Sequence, residues 1–321
     1  MTLMTALESH KLRKLEDRAQ DRTDRHDRAH ARPPTEAEQM IADEHHRVAE
    51  SRTAGEQRAA GATDTAAEVL LECKDLSIGY DKPILENINL PIGRGEIVVL
   101  LGGSGCGKST LLRTIIGLHP PLAGEVVVFG QSMYELALDD RNRLLRRTGT
   151  AFQQDALFGS MTIEDNIALP LRELTKLPNP LICEMVRMRL ALVGLPGMEH
   201  RMPGQLSGGQ RKRAALARAS ILDPEIVFCD EPSAGLDPVV AAGIDETLLR
   251  FRATLGITLV VVTHELESIR TIADRAVMFA RGGIAAMGTV EELENSKDPE
   301  IYGFFHRVAD KHPAPARSAA T

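Results

Sequence analysis

Eight consecutive residues, Gly102-Gly103-Ser104-Gly105-Cys106-Gly107-Lys108-Ser109, match the spacing G-x-x-x-x-G-K-[ST]. Glycines there let backbone N–H groups turn inward around an anion, and a helix start adds more of them. Lys108 then supplies charge for the β- and γ-phosphates of a nucleotide, and Ser109 a hydroxyl for Mg²⁺. With Thr110 in the same helical turn, residues 102–110 form the candidate phosphate site. A second group is Asp230-Glu231, which closes the apolar run Ile226-Val227-Phe228-Cys229. A buried strand delivers its last residues to the edge where ligands sit in open α/β sheets. Asp230 reaches Mg²⁺ through its water shell, and Glu231 polarises an attacking water. A third group is Leu206-Ser207-Gly208-Gly209-Gln210, just before the helical RKRAALARAS. Ser207 reads as an N-cap, with Gly208 and Gly209 exposing helix N–H groups and Gln210 in the first turn. That is a second anion site about a hundred residues from the first. Two chains arranged head to tail would sandwich two nucleotides, each phosphate loop facing the other chain's Ser207.

These residues need a sheet to hold them. VLLECKDLSIGY and ILENINLPI read as strands around the turn DKP. EIVVLLGG reads as a buried strand feeding the glycine loop, and GKSTLLRTIIGLH as the helix that follows. EVVVFG is a strand and LDDRNRLLRR a helix. EIVFCD and ITLVVVTH are buried strands either side of the helix VVAAGIDETLLRFRATLG. Strands alternating with helices imply a mostly parallel, covered sheet. The stretch 153–221 is helix-rich, broken by LPNP and GLPG, and interrupts that sheet. Within it, Thr162-Ile163-Glu164-Asp165 has the form of a helix start, and NIALPLRE is bent or stopped at Pro170.

Composition limits the alternatives. The chain has 321 residues, 43% hydrophobic, with a formal net charge of −7. That charge weighs against non-specific nucleic-acid binding, which needs a basic footprint. Cys73, Cys106, Cys183 and Cys229 form no CxxC pair and suit a reducing compartment. No run approaches the ~20 apolar residues of a spanning helix. Residues 1–66 alternate in charge and contain no aromatic residue, a composition that favours disorder. Their histidines show no ligand spacing. Cys106 sits at a helix start, where a thiol is open to redox control or is simply a small residue the loop tolerates.

The set Tyr80, GGSGCGKS, Gln153, LSGGQ, IVFCDE, SAGLD and His264 resembles the ATP-binding subunit of an ABC transporter over about 67–295. The resemblance implies a P-loop ATPase with a RecA-like core, an antiparallel β subdomain and a helical subdomain at about 153–221, leaving 296–321 as a C-terminal tail. It implies ATP and Mg²⁺ as cofactors, Tyr80 stacking on adenine, and Gln153 contacting Mg²⁺ and the attacking water. It also implies that Asp237 communicates across a homodimer and that His264 bonds the γ-phosphate. FQQDALFGSMTIEDNIALPLRE and SKDPEIYGFFHR resemble the ATPases of MCE-type lipid transporters, the lipid-asymmetry systems included. Some members of that group carry methionine where Gln210 stands, and the long N-terminal tail is not part of the family core. The implied partners are integral-membrane permease subunits and an MCE-type lipid-binding protein. The implied place is the cytoplasmic face of the inner membrane, as a peripheral subunit. The alternative is the ATPase of a polar-solute importer, such as an amino-acid system. Leu157 and Phe158 either pack into the helical subdomain or line a groove for a short permease helix.

Overall fold

The computed structural model of the chain describes residues 68–153 and 155–307. The charged tail expected over 1–66 and the terminal HPAPARSAAT lie outside them. β1 (Val69–Gly79) and β2 (Pro83–Gly93) form the expected hairpin. β3 (Ile97–Gly102) is buried along its whole length. Its alternation divides between two cores: Ile97, Val99 and Leu101 enter one, Val98 and Leu100 the other. That is why its sequence is continuously apolar, both faces being covered. The glycine loop leads into α1 (Lys108–Ile115). β4 (Ala123–Val128) and β5 (Gln131–Ser132) complete a four-stranded antiparallel sheet with the hairpin, ordered β2-β1-β4-β5. α2 (Leu138–Leu145) and β6 (Thr148–Ala151) follow.

The helical region contains α3 (Ile163–Leu174), α4 (Asn179–Leu192), a short 3-10 turn at Pro203–Gln205 and α5 (Gly208–Ser220). Pro170 lies inside α3, which runs four residues past it, so it does not stop the helix. Thr162 caps α3, accepting from the Asp165 N–H, and the apolar residues Ile163, Ile167 and Leu171 recur at helical spacing on its buried side. That face holds the helix against the core through the proline.

β7 (Ile226–Asp230), α6 (Pro238–Leu255), β8 (Thr258–Val262), α7 (Leu266–Ile272) and β9 (Arg275–Ala280) return the chain to the main sheet. β10 (Gly283–Gly288) forms an antiparallel edge. The sheet order is β10-β9-β3-β8-β7-β6, and β9 through β6 are parallel. β6, β9 and β10 were not marked by the sequence pattern. β6 reads TGTA, too short and too polar to stand out.

Two helices close the described chain, α8 (Val290–Glu294) and α9 (Pro299–His306). Ile301 and Phe305 of α9 are buried in the core beside Leu293, so the packed structure runs past the expected boundary at 295. Among the described residues, no helix is long and apolar enough to cross a membrane.

Candidate functional site

Four neighbouring parallel strands end at one edge, and each delivers a different group. β3 ends at Gly102 and opens the glycine loop, β8 leads to His264, β7 to Asp230 and Glu231, and β6 to Gln153. The register explains the convergence: Leu100 pairs with Val262, Val262 with Asp230, and Cys229 with Ala151. A cleft of about 640 Å³ results. Its lining includes Gly102, Gly103, Ser104, Gly105, Gly107, Lys108, Ser109, Thr110, Gln153, Glu231 and His264.

Gly102 has φ 146°, and a Cβ there would stand 2.4 Å from the Phe279 carbonyl oxygen of β9. Only glycine lets the loop leave the sheet this close to its neighbour strand. Lys108 is buried, and its ammonium donates to the Gly102 and Gly103 carbonyls at 2.8 and 3.0 Å. The loop is thus held from inside by its own lysine. The Cys106 sulfur stands 3.6 Å from that ammonium, and Cys106 does not line the cleft.

Ser109 Oγ donates to Asp230 Oδ1 at 3.2 Å. Burial pushes the Asp230 carboxyl up from its ordinary value, the Ser109 hydrogen bond pulls it down, and the charge of Glu231 pushes it up again. A hydroxyl and a desolvated carboxylate side by side are an all-oxygen donor set of the kind Mg²⁺ takes. These residues therefore fit the ion and would supply part of its oxygen donor set. Among the described residues no cluster of three or more His, Cys, Asp or Glu would hold a metal by itself.

Glu231 is left-handed, with φ 49°. The strain costs about 1–2 kcal/mol, small beside the burial of Val227 and Phe228 just before it at about 2 kcal/mol each. The Glu231 N–H donates to the Val262 carbonyl at 2.8 Å, which pins the turn. Its carboxylate is bracketed: Gln153 Nε2 donates to Oε2 at 3.0 Å, and His264 Nδ1 to Oε1 at 3.1 Å. A carboxylate only accepts, so Nδ1 carries the hydrogen. With its Nε2 used on Glu231, the Gln153 amide keeps Oε1 as its only acceptor.

The remaining sequence candidates lie outside this cleft. Ser207 caps α5 in a reciprocal box with Gln210: the Gln210 N–H donates to Ser207 Oγ at 3.3 Å, and the Ser207 N–H to Gln210 Oε1 at 2.9 Å. A Cβ on Gly209 would stand 2.2 Å from Val240 Cγ1, so this glycine lets α5 approach α6; Gly208 precedes it at the helix start. Asp237 caps α6, accepting from the Val239 and Val240 N–H groups, both at 3.1 Å. Tyr80 sits in the hairpin turn, 56% exposed, with its ring centroid 4.7 Å from that of His119. His119 in turn meets the Gly79 carbonyl through Nε2 at 2.6 Å.

Sequence reasoning missed His119, and also Ile84 and Phe304, which line the cleft from β2 and α9. Isolated residues far along the chain carry no spacing signal. It left Leu157 and Phe158 between two fates, and the structure separates them. Leu157 packs against the core, while Phe158 is 52% exposed. The Phe158 backbone is held by the fully buried Asn166, whose side chain accepts from its N–H at 2.7 Å and donates to its carbonyl at 3.1 Å.

A glycine loop between a central parallel strand and a helix, facing a strand-end Asp-Glu pair, defines a P-loop nucleotide-binding fold. The ABC transporter family profile matches residues 85–234. The chain is 42% identical over 223 residues to the "probable ribonucleotide transport ATP-binding protein mkl" of Mycobacterium tuberculosis, covering 70% of this chain. It spans only 62% of that relative's length. It is 38% identical over 252 residues to the "intermembrane phospholipid transport system ATP-binding protein MlaF" of Escherichia coli, covering 78% of this chain and 93% of that one. Among solved structures, cbiO1 of Clostridium perfringens, part of the ABC transporter complex cbiONQ, superposes with a TM-score of 0.66 at 28% identity, covering 73% of this chain and 93% of its own. The dimeric bacterial cassette MJ0796 superposes with a TM-score of 0.64 at 30% identity, covering 68% and 98%. The chain belongs to the ABC transporter family of ATP-binding proteins.

Proposed function

We propose that this chain hydrolyses ATP to drive phospholipid transport through a partner permease. The observation that carries the ATPase reading is the Glu231 carboxylate, held between Gln153 and His264 at the mouth of the phosphate loop. Lys108 and the loop N–H groups of 102–110 bind the β- and γ-phosphates, and Tyr80 stacks on the adenine. Ser109, Asp230 and Gln153 are the groups that would hold Mg²⁺, which when bound neutralises phosphate charge. Glu231 takes the proton of the attacking water, oriented by Gln153, and His264 turns toward the γ-phosphate. Two copies pair head to tail, so that Ser207, Gly208, Gly209 and Gln210 of one face the nucleotide of the other, with Asp237 at the seam. The dimeric structure of MJ0796, a relative, supports pairing of two copies.

The phospholipid reading rests on the MlaF relatives, matched over nearly their whole length. Under it the subunit works at the cytoplasmic face of the inner membrane, with an MCE-type protein as a further partner. Phe158, exposed on the loop between the nucleotide and the helical subdomain, is the docking residue for the permease. The mycobacterial relatives, named for ribonucleotide transport, keep polar-solute import as a second reading.

The test is purification of the chain with its permease, followed by ATPase assay in phospholipid vesicles and in detergent with polar solutes. Stimulation by phospholipid supports the first reading, stimulation by a polar solute alone the second. No ATPase activity under any condition overturns both.

A further inference from the structure

Three cationic side chains of α5 reach the loop that follows β6. Lys212, buried, donates from its ammonium to the Gln153 carbonyl oxygen. Arg218 donates to the Ala156 carbonyl at 2.7 Å and to the Asp155 carbonyl at 3.2 Å. Arg211 reaches both ways: Nη1 donates to the Leu206 carbonyl at 2.8 Å, and Nε stands 3.4 Å from Asp155 Oδ2. Asp155 Oδ1 is buried, accepts no hydrogen bond, and stands 3.5 Å from the Lys212 ammonium.

The loop needs such a grip. Asp155 and Ala156 are both left-handed, with φ 58° and 51°, although neither is glycine. Two such residues in a row persist only where the surroundings over-determine them. Arg218 adds a second argument. Among the described residues it has no carboxylate partner, and its charge faces the two loop carbonyls; burial pulls its guanidinium down from the usual value. A desolvated cation spent wholly on backbone carbonyls is a fixed structural commitment rather than a solubility feature.

We propose that Lys212 and Arg218 are positioning residues that clamp the Gln153, Asp155 and Ala156 carbonyls to α5, so that the helix bearing Ser207 and the loop bearing Gln153 move as one unit. The clamp sets where the Gln153 side chain lies against Glu231. It rests on the ATPase reading only for its kinetic effect, since the clamp itself is a property of the chain alone.

The test uses the full chain, with Lys212→Met and Arg218→Met, and Lys212→Arg as the conservative control. Amide hydrogen exchange without nucleotide is read over 151–158 and over 102–109. The expected result for each Met variant is about tenfold faster exchange in 151–158 with 102–109 unchanged. In ATPase assays kcat falls about tenfold while KM for ATP stays within about twofold, and Lys212→Arg restores most of both. Unchanged exchange in 151–158 overturns the clamp, and so does faster exchange spread over α5 and the sheet. A raised KM with unchanged kcat overturns the positioning of Gln153. Should Glu231→Gln retain full turnover, the ATPase reading fails while the exchange result still decides the clamp.

Discussion

The loop after β3 and the loop after β6 leave the same edge of the same sheet, yet they are held in opposite ways. The first is self-sufficient. Its glycines supply the backbone geometry, and its own Lys108 ties two of its carbonyls from within. The second has no glycine between Ala151 and Phe158 and takes left-handed geometry at Asp155 and Ala156 all the same. It borrows its restraints from Lys212, Arg218 and Asn166, all on other elements. A loop that carries its own geometry binds the same way whatever its surroundings do. A loop whose geometry is supplied by neighbours changes when those neighbours move, which is what coupling to a partner requires.

Breaking the nucleotide site that the two loops share should have the largest effects. Glu231→Gln removes the proton acceptor and should lower kcat about 10³-fold while ATP still binds; single-turnover kinetics with size-exclusion of the ATP-bound form checks this, and full turnover would sink the role. Lys108→Ala should weaken ATP binding about 10²-fold, measured by equilibrium titration. An affinity within a few-fold of the parent would show that the loop amides suffice.

The next effect belongs to a buried acid between α6 and α7. Asp245 of α6 is buried, accepts from Ser268 of α7 at 2.8 Å, and has its carboxyl pushed up to about 6 from 3.8, chiefly by burial. The folded chain therefore holds that proton more tightly than the unfolded one. Between about pH 4 and 6 the unfolded carboxyl ionises first, and stability falls as pH rises. Above that window Asp245→Asn should stabilise by about 2 kcal/mol, and the gain should vanish below about pH 4. Urea unfolding at several pH values reads it; a gain independent of pH would assign it to packing instead.

The smallest effect on the isolated subunit sharpens the comparison from the other side. Phe158→Ser exposes nothing new, so stability should change by no more than about 0.5 kcal/mol and ATPase activity by less than about twofold. Transport with the permease should nevertheless fail. Normal transport by that variant would remove Phe158 from the docking surface.

The same contrast decides what could be read from residues alone. The phosphate loop was legible because its parts are contiguous and their spacing is set by backbone geometry. The Asp-Glu pair was legible because an apolar strand must deliver its last residues to the sheet edge. The restraints on the second loop were not, since Lys212 lies 59 residues from the Gln153 carbonyl it binds, and lysines and arginines on a helix read as a solvated face. The pairing of Tyr80 with His119, and the placing of Phe304 at the cleft, have the same cause: each joins elements that only the fold brings together. β6 escaped notice because a four-residue edge strand of small residues has no period to detect.

The contact between His264 and Glu231 has a consequence in counted hydrogens. A neutral imidazole owns one N–H, and here Nδ1 spends it on the carboxylate. Its Nε2 is then a lone pair, which repels a phosphate oxygen. To donate toward a γ-phosphate, the ring must either take up a second proton or surrender Glu231 by moving its hydrogen to the other nitrogen. In the neutral case the two bonds exclude each other.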